Sequence, residues 1–489
     1  MAKKPPPGGL TVVPESATIK VGVTQFVFCS EPRASWSSSN SAIASVDGLV
    51  RGAVLGVAAG VATITAQYRN KRGHMTITVE AVEVPPVDPG IYGPQTDVTQ
   101  PPGSVQILPG VSTIQDVIAA HPAGTTYWLT AGTYQLTAPV RPKTGDVLVG
   151  EYGAILEGAA VQQDYDLGGI AVVSGWNSAV SGVTVRNLVI RGRDQIMGVG
   201  AFGPAAGGWT VDQCEITGCR WGVAFGNTPN GTQATRVYVP GPTITANRIT
   251  DCLWSGATSS DGSGAYGIQT ADGTVMVGNE IARCGGQAKL VACIHSRVAS
   301  NWLHHNPNGI WFDGDNRQNL IEDNLLEDHA GVGIFYEISA EATIRRNTVR
   351  RSGEAGIFLS TSRDLDVYEN TLEGNWRDVD LFVNCDVAGL PEDGAYPGSI
   401  AYDLSGIHVH DNVFHVGTRD ETIAAGLSAL GTCDPAFTAP YFGGAKDLVF
   451  AGNQYTVPTL SGSYWYWGTF KSWAAWQAIP QDAGGSVGL

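Results

Sequence analysis

The sequence predicts an all-β chain: a small N-terminal β-sandwich followed by a long parallel β-helix, or solenoid. Three observations lead there. Runs of alternating Thr, Ile and Val between Gly and Asn turn residues fill positions 9–81. Further on, asparagines recur at 301, 324, 347 and 370, a constant step of 23. The segments between them alternate as strands do and show no helical period. A unit of this size is too short to bury its own apolar face, so it must stack on its neighbours.

Composition narrows the function. The 489 residues suffice for two or three domains with a large core. Lys and Arg number 29 against 45 Asp and Glu, a formal net charge of −16. With no basic run to offset it, this charge argues against nucleic acid and disfavours a polyanion. No apolar stretch approaches membrane-spanning length, so no membrane partner is expected. The basic start at Met1–Lys4 leads into prolines rather than an apolar segment, unlike a secretory signal. The expectation is release by another route, such as phage lysis; a leader removed ahead of Met1 is the alternative. None of the eight cysteines forms the CxxC spacing of a zinc site.

In chain order, residues 1–8 read as a flexible start. Strands follow at Leu10–Pro14, Ala17–Gly22, Trp36–Asn40, Ile43–Val50, Ala59–Ala66 and Met75–Val79. Residues 82–104 hold six prolines and read as a semi-rigid linker. The run Ser112-Thr113-Ile114-Gln115 fits a helix capping box, opening a short helix that ends near His121-Pro122 and covers the open end of the sheets. Tyr127–Tyr134 reads as a first strand and turn.

The repeat then occupies 105–460. Ile321–Leu326, Ile344–Val349 and Val367–Leu372 each carry the central Asn. Asn279 precedes Asn301 by 22, and Asn187, Asn247, Asn412 and Asn453 fit with longer insertions. Asn suits such a turn because it tolerates the left-handed conformation and can ladder with the Asn above. A second strand recurs as Gly309–Phe312, Gly333–Tyr336 and Gly356–Leu359. Cys219, Cys252 and Cys284 each stand five residues after the turn position. With coils ~4.8 Å apart, a little long for unstrained disulfides, they read as a buried thiol column. If a bridge exists, it joins Cys385 and Cys433. The aromatic tail, 461–489, reads as a cap over the last coil; a glycan-stacking platform or subunit contact is the alternative.

Aligning the second strands on Ile310, Ile334 and Ile357 puts Asp313, Glu337 and Ser360 in one column. Two carboxylates one sheet spacing apart cannot both ionise cheaply, so one pKa should rise. That is the setting for an acid and a partner base or nucleophile, the chemistry of glycoside hydrolysis. Asp313 and Glu337 are therefore the expected catalytic pair. Each alternates with an aromatic neighbour, so the carboxylates face outward if Phe312 and Tyr336 fill the core. Asp315, Trp311, Tyr336, His304, His305, His295 and Arg297 are expected around the substrate. Arg297, if it joins the column, would hold one carboxylate ionised. A solvated acidic face, or a calcium site from Asp313, Asp315 and Glu337, is the competing reading; no metal or cofactor is otherwise called for.

Two resemblances add to this. The W-S-S-S-N, A-S-V-D-G-L-V and A-G-V-A-T-I-T-A segments of 9–81 resemble bacterial immunoglobulin-like domains of the intimin/invasin type (group 2). Such domains act as spacers or attachment modules. Residues 105–489 resemble the pectate-lyase-like right-handed β-helices. There, Gly309-Ile310-Trp311-Phe312-Asp313 and Gly333-Ile334-Phe335-Tyr336-Glu337 are similar to a segment recurrent in bacterial and phage proteins. The aspartate clusters and basic catalytic residue of a calcium-dependent pectate lyase are not evident.

The resemblance implies a phage virion surface protein of tailspike, fibre or decoration type. Its β-helix would contact host surface polysaccharide and its Ig-like domain other virion proteins. Similar spikes are homotrimers, which implies the same here. A secreted or cell-surface polysaccharide hydrolase or lyase, and a purely adhesive protein without catalysis, are the alternatives.

Overall fold

The computed structural model describes residues 9–80 except 21–23, 32, 42, 47–52 and 57–59, and residues 92–489 except 162–170, 177–178, 194–195, 228–236, 253–263, 389–401, 420 and 480. The strand residues expected at Val21–Gly22, Asp47–Val50 and Ala59 therefore lie outside the described residues, as do 1–8 and linker positions 82–91. The chain divides into two compact units, 1–84 and 85–489.

In the first unit, a four-stranded sheet runs in the order Ser16–Lys20, Lys71–Glu80, Gly60–Tyr68, Ser35–Ser38. A three-stranded sheet pairs Thr24–Phe26, Ala53–Gly56 and Ala44–Val46. Along Gly60–Tyr68 burial alternates, so Ala62, Ile64 and Ala66 point inward while Thr63 and Thr65 do not. This is the period of two that the sequence shows.

The second unit is the solenoid. Three parallel sheets, of 13, 13 and 12 strands among the described residues, run its length. Sheet 1 extends from Val105–Ile107 to Leu448–Ala451, sheet 2 from Gly132–Gln135 to Ser486–Gly488, and sheet 3 from Ala171–Ser174 to Phe470–Lys471. Each coil visits the sheets in that order, as in Arg297–Ala299, Trp302–His304 and Ile310–Asp313. Inward side chains of all three meet in one continuous hydrophobic core, as expected for coils that cannot bury an apolar face alone.

The turn between sheets 1 and 2 carries the asparagines. Asn247, Asn279, Asn301, Asn324, Asn347, Asn370, Asn412 and Asn453 form a buried ladder. Each backbone N–H and each side-chain amide up to Asn412 donates to the next asparagine's Oδ1 at 2.9–3.1 Å. Asn453 donates instead to Asp482, which also accepts from Tyr455 and Trp476. The ladder corrects two expectations. The left-handed residue is the one before each asparagine, such as Ser300 at φ 52° or Arg346 at φ 52°. The asparagine itself is kept for the buried amide hydrogen bonds, which an apolar residue there would leave unmade. Asn187 stands one position early and is itself left-handed; Leu188 fills its place in the register.

The capping helix spans Ile114–Ala120 and buries Ile114 and Ile118. Its box lies one residue later than expected: Thr113 is the N-cap and accepts from the Asp116 N–H at 3.1 Å. Described residues of the expected linker touch the solenoid, with Gly93 N–H on Ala246 O and Gln95 N–H on Asn187 Oδ1. At the other end Trp465 and Trp476 are buried, Trp473 packs on Trp465, and Trp476 packs on Phe450. Cys385 and Cys433 form a disulfide, while Cys219, Cys252 and Cys284 are buried free thiols.

Candidate functional site

Sheet 3 pairs Ile310–Asp313 with Ile334–Glu337 in parallel, and Asp313 stands directly beside Glu337. Ile310 and Phe312, like Ile334 and Tyr336, are fully buried in the core. Alternation then turns Trp311, Asp313, Phe335 and Glu337 to the outer face. Extending the register gives two outer columns. One runs Gly267, Lys289, Trp311, Phe335, Phe358, Asp380; the other runs Asp313, Glu337, Ser360, Phe382.

These columns interlock. Lys289 Nζ lies 2.8 Å from Asp313 Oδ2 and 4.0 Å from the centre of the Trp311 ring. The Trp311 indole N–H donates to Glu337 Oε2 at 3.2 Å. Trp311 stacks parallel on Phe335 at 5.0 Å, and Phe335, Phe358 and Phe382 continue at 5.0 and 5.4 Å. The result is an aromatic run, buried at Trp311 and half-buried at Phe335, Phe358 and Phe382, bordered by two carboxyl groups and one ammonium.

The Glu337 carboxyl is pushed up to about 7, first by burial and then by the neighbouring charge of Asp313. The Trp311 N–H and the Lys289 charge pull it part of the way back. At neutral pH Glu337 therefore exchanges a proton readily, beside an Asp313 that is paired with Lys289. This is the separation of roles that acid–base chemistry at two neighbouring carboxyls requires.

The other expected residues lie elsewhere. Tyr336 faces the core, its hydroxyl donating to Ala340 O at 2.9 Å and accepting from Asn319 Nδ2, so it cannot meet a substrate. Arg297 belongs to sheet 1 and pairs with Glu322 at 2.8 Å; it does not join the Asp313–Glu337 column. His304 ends a sheet 2 strand, stacked on Trp302, and its Nδ1 is 2.9 Å from that of His305. Both belong to a different face from the carboxylates. His295, in the turn leaving sheet 3, is engaged by Asp272 at 2.7 Å and Gln318 at 2.5 Å. Asp315, in the next such turn, accepts from the Tyr402 hydroxyl at 2.6 Å. The three carboxylates of the calcium alternative are thus not assembled, and among the described residues no set of three His, Cys, Asp or Glu side chains is placed to hold a metal ion.

Lys289, Phe335, Phe358 and Phe382 were not expected at the site. Lys289 precedes Trp311 by 22, the same short step that separates Asn279 from Asn301, so counting would have found it. Phe335 and Phe358 follow the Gly-Ile of their coils just as Trp311 does.

Residues 205–372 match the family model described as right handed beta helix region. No curated protein matches the chain. Among solved structures, the A-module of the Azotobacter vinelandii mannuronan C-5 epimerase AlgE4 is 13% identical, with a TM-score of 0.40 over 79% of this chain and 96% of its own. The periplasmic alginate epimerase AlgG is 11% identical, with a TM-score of 0.41 over 79% of this chain and 85% of its own. The Dettilon tailspike protein is 14% identical, with a TM-score of 0.39 over 66% of this chain and 68% of its own. The order of three parallel sheets, with the match over 205–372, makes the solenoid a right-handed parallel β-helix.

Proposed function

We propose that the outer face of sheet 3 binds a surface polysaccharide and hydrolyses it, with Glu337 as the acid and Asp313 as its carboxylate partner. The observation that carries this reading is the placement of the Asp313–Glu337 pair beside the aromatic run from Trp311 to Phe382. Aromatic rings present flat apolar faces on which sugar rings can stack. Adjacent in-register positions lie ~4.8 Å apart at the backbone. In a retaining reaction one carboxyl acts as nucleophile and the other as acid and then base. Asp313 would then attack the anomeric carbon while Glu337 protonates the leaving oxygen, and Glu337 would next activate the water that releases the sugar.

The chain is read as a virion surface protein in which an immunoglobulin-like first unit attaches or spaces the β-helix. The resemblance of its motifs to those of phage and bacterial β-helix proteins supports this. The Cys385–Cys433 disulfide fits a place outside the reducing cytosol, on a virion or as a secreted enzyme.

The test is reducing-end release, with ultraviolet absorbance of unsaturated products, on a panel of bacterial surface polysaccharides. Wild type is expected to release reducing ends without new absorbance, and Asp313→Ala and Glu337→Ala to release none. Unsaturated products would replace hydrolysis with elimination. Cleavage unchanged in both variants would remove the pair from the mechanism.

A further inference from the structure

We infer that the site takes an uncharged glycan, not a polyanionic one; the inference rests on the glycan-binding reading above and narrows its substrate class.

The argument is one of charge. The described strands of sheet 3 carry three cations, Lys289, Arg377 and Lys471. Lys289 is paired with Asp313 at 2.8 Å, and Arg377 with Asp380 at 2.6 Å. Lys471, on the terminal antiparallel strand, is held by the Thr469 carbonyl at 3.3 Å. In the flanking turns Arg193 donates to Val161 O, Arg220 lies over the Trp221 ring, and Arg419 donates to Gly353 O while lying over Trp376.

A uronate or phosphate arriving here would meet Asp313 and Glu337 and would have to displace a carboxylate to reach Lys289. That exchange gains no charge pairing and adds like-charge repulsion. A neutral sugar ring faces no such cost, because the aromatic run needs only its apolar face and the paired groups need only its hydroxyls.

The full chain is tested by affinity measurement and cleavage on two sets of soluble polysaccharides. One is neutral (glucan, mannan, galactan, rhamnan), and the other is acidic (alginate, pectate, hyaluronan, a teichoic acid). Binding confined to the neutral set, changing less than about twofold between about 50 and about 500 mM NaCl, is the expected result. Asp313→Asn, which strips Lys289 of its partner, should add affinity for the acidic set that salt removes. Wild-type binding to the acidic set, weakened by salt, would overturn the inference and leave the glycan reading standing. Binding to neither set would overturn both.

Discussion

Glu337 accepts a hydrogen bond from the indole N–H of Trp311, one strand away on the same outer face, at 3.2 Å. The buried ring, packed against Lys289 and Phe335, thus also helps lower the pKa of the neighbouring carboxyl. Trp311→Phe keeps the ring and removes the donor. Since that bond lowers the Glu337 pKa, its loss should move the basic limb of the kcat/KM profile to higher pH while binding changes little.

If protonated Glu337 is the acid, activity falls as pH rises through about 7, where its carboxyl loses the proton. Glu337→Gln should remove that limb and cost roughly 10²–10⁴ in kcat. A pH–rate profile of both proteins checks this, and a wild-type rate flat from pH 6 to pH 9 would refute it.

Lys289→Met should also raise the basic limb, because the ammonium helps hold Glu337 down. It further leaves Asp313 without its ion-pair partner, so kcat should drop by at least about tenfold. Methionine keeps most of the packing on Trp311, so thermal unfolding should be nearly unchanged.

Phe335→Ala and Phe358→Ala should each weaken glycan binding by about tenfold, roughly one aromatic contact's worth, and leave the pH profile in place. Titration calorimetry separates this from a loss of turnover.

Asp378 supplies a prediction about stability. It is fully buried, with Oδ1 accepting from Asn375 at 2.9 Å and Oδ2 finding no hydrogen-bond partner among the described residues. Burial pushes its carboxyl up to about 8. Between the ordinary carboxylate range and about pH 8 the unfolded chain has released this proton while the folded chain keeps it. Stability therefore falls as pH rises, by at most about 1.4 kcal/mol per unit from this group. Asp378→Asn should flatten that slope and raise the melting temperature at pH 8; an unchanged slope would refute the assignment.

What was legible in the sequence was whatever the coil length encodes. A step of 23 aligns Ile310 with Ile334 after one inserted residue, and so brings Asp313 beside Glu337 by counting alone. Facing was legible only conditionally, through the aromatic residues that alternate with the carboxylates. Arg297 shows where counting fails: which sheet a residue joins depends on the length of the turns around it, and those turns vary. Lys289 was within reach of the same counting, over the coil one residue shorter that Asn279 and Asn301 also mark. Asp378 carries no local mark, since nothing in its own strand tells that the folded coil buries it completely.

The asparagine ladder separates distance along the chain from distance in space. Its neighbouring rungs are 22 or 23 residues apart from Asn279 to Asn370, yet 32 before it and 42 and 41 after it, with hydrogen bonds of the same length throughout. A chain built this way can accept or discard a whole excursion between two rungs without disturbing either. Excursions between rungs can therefore change length during evolution, while the scaffold beneath keeps one unchanging pitch.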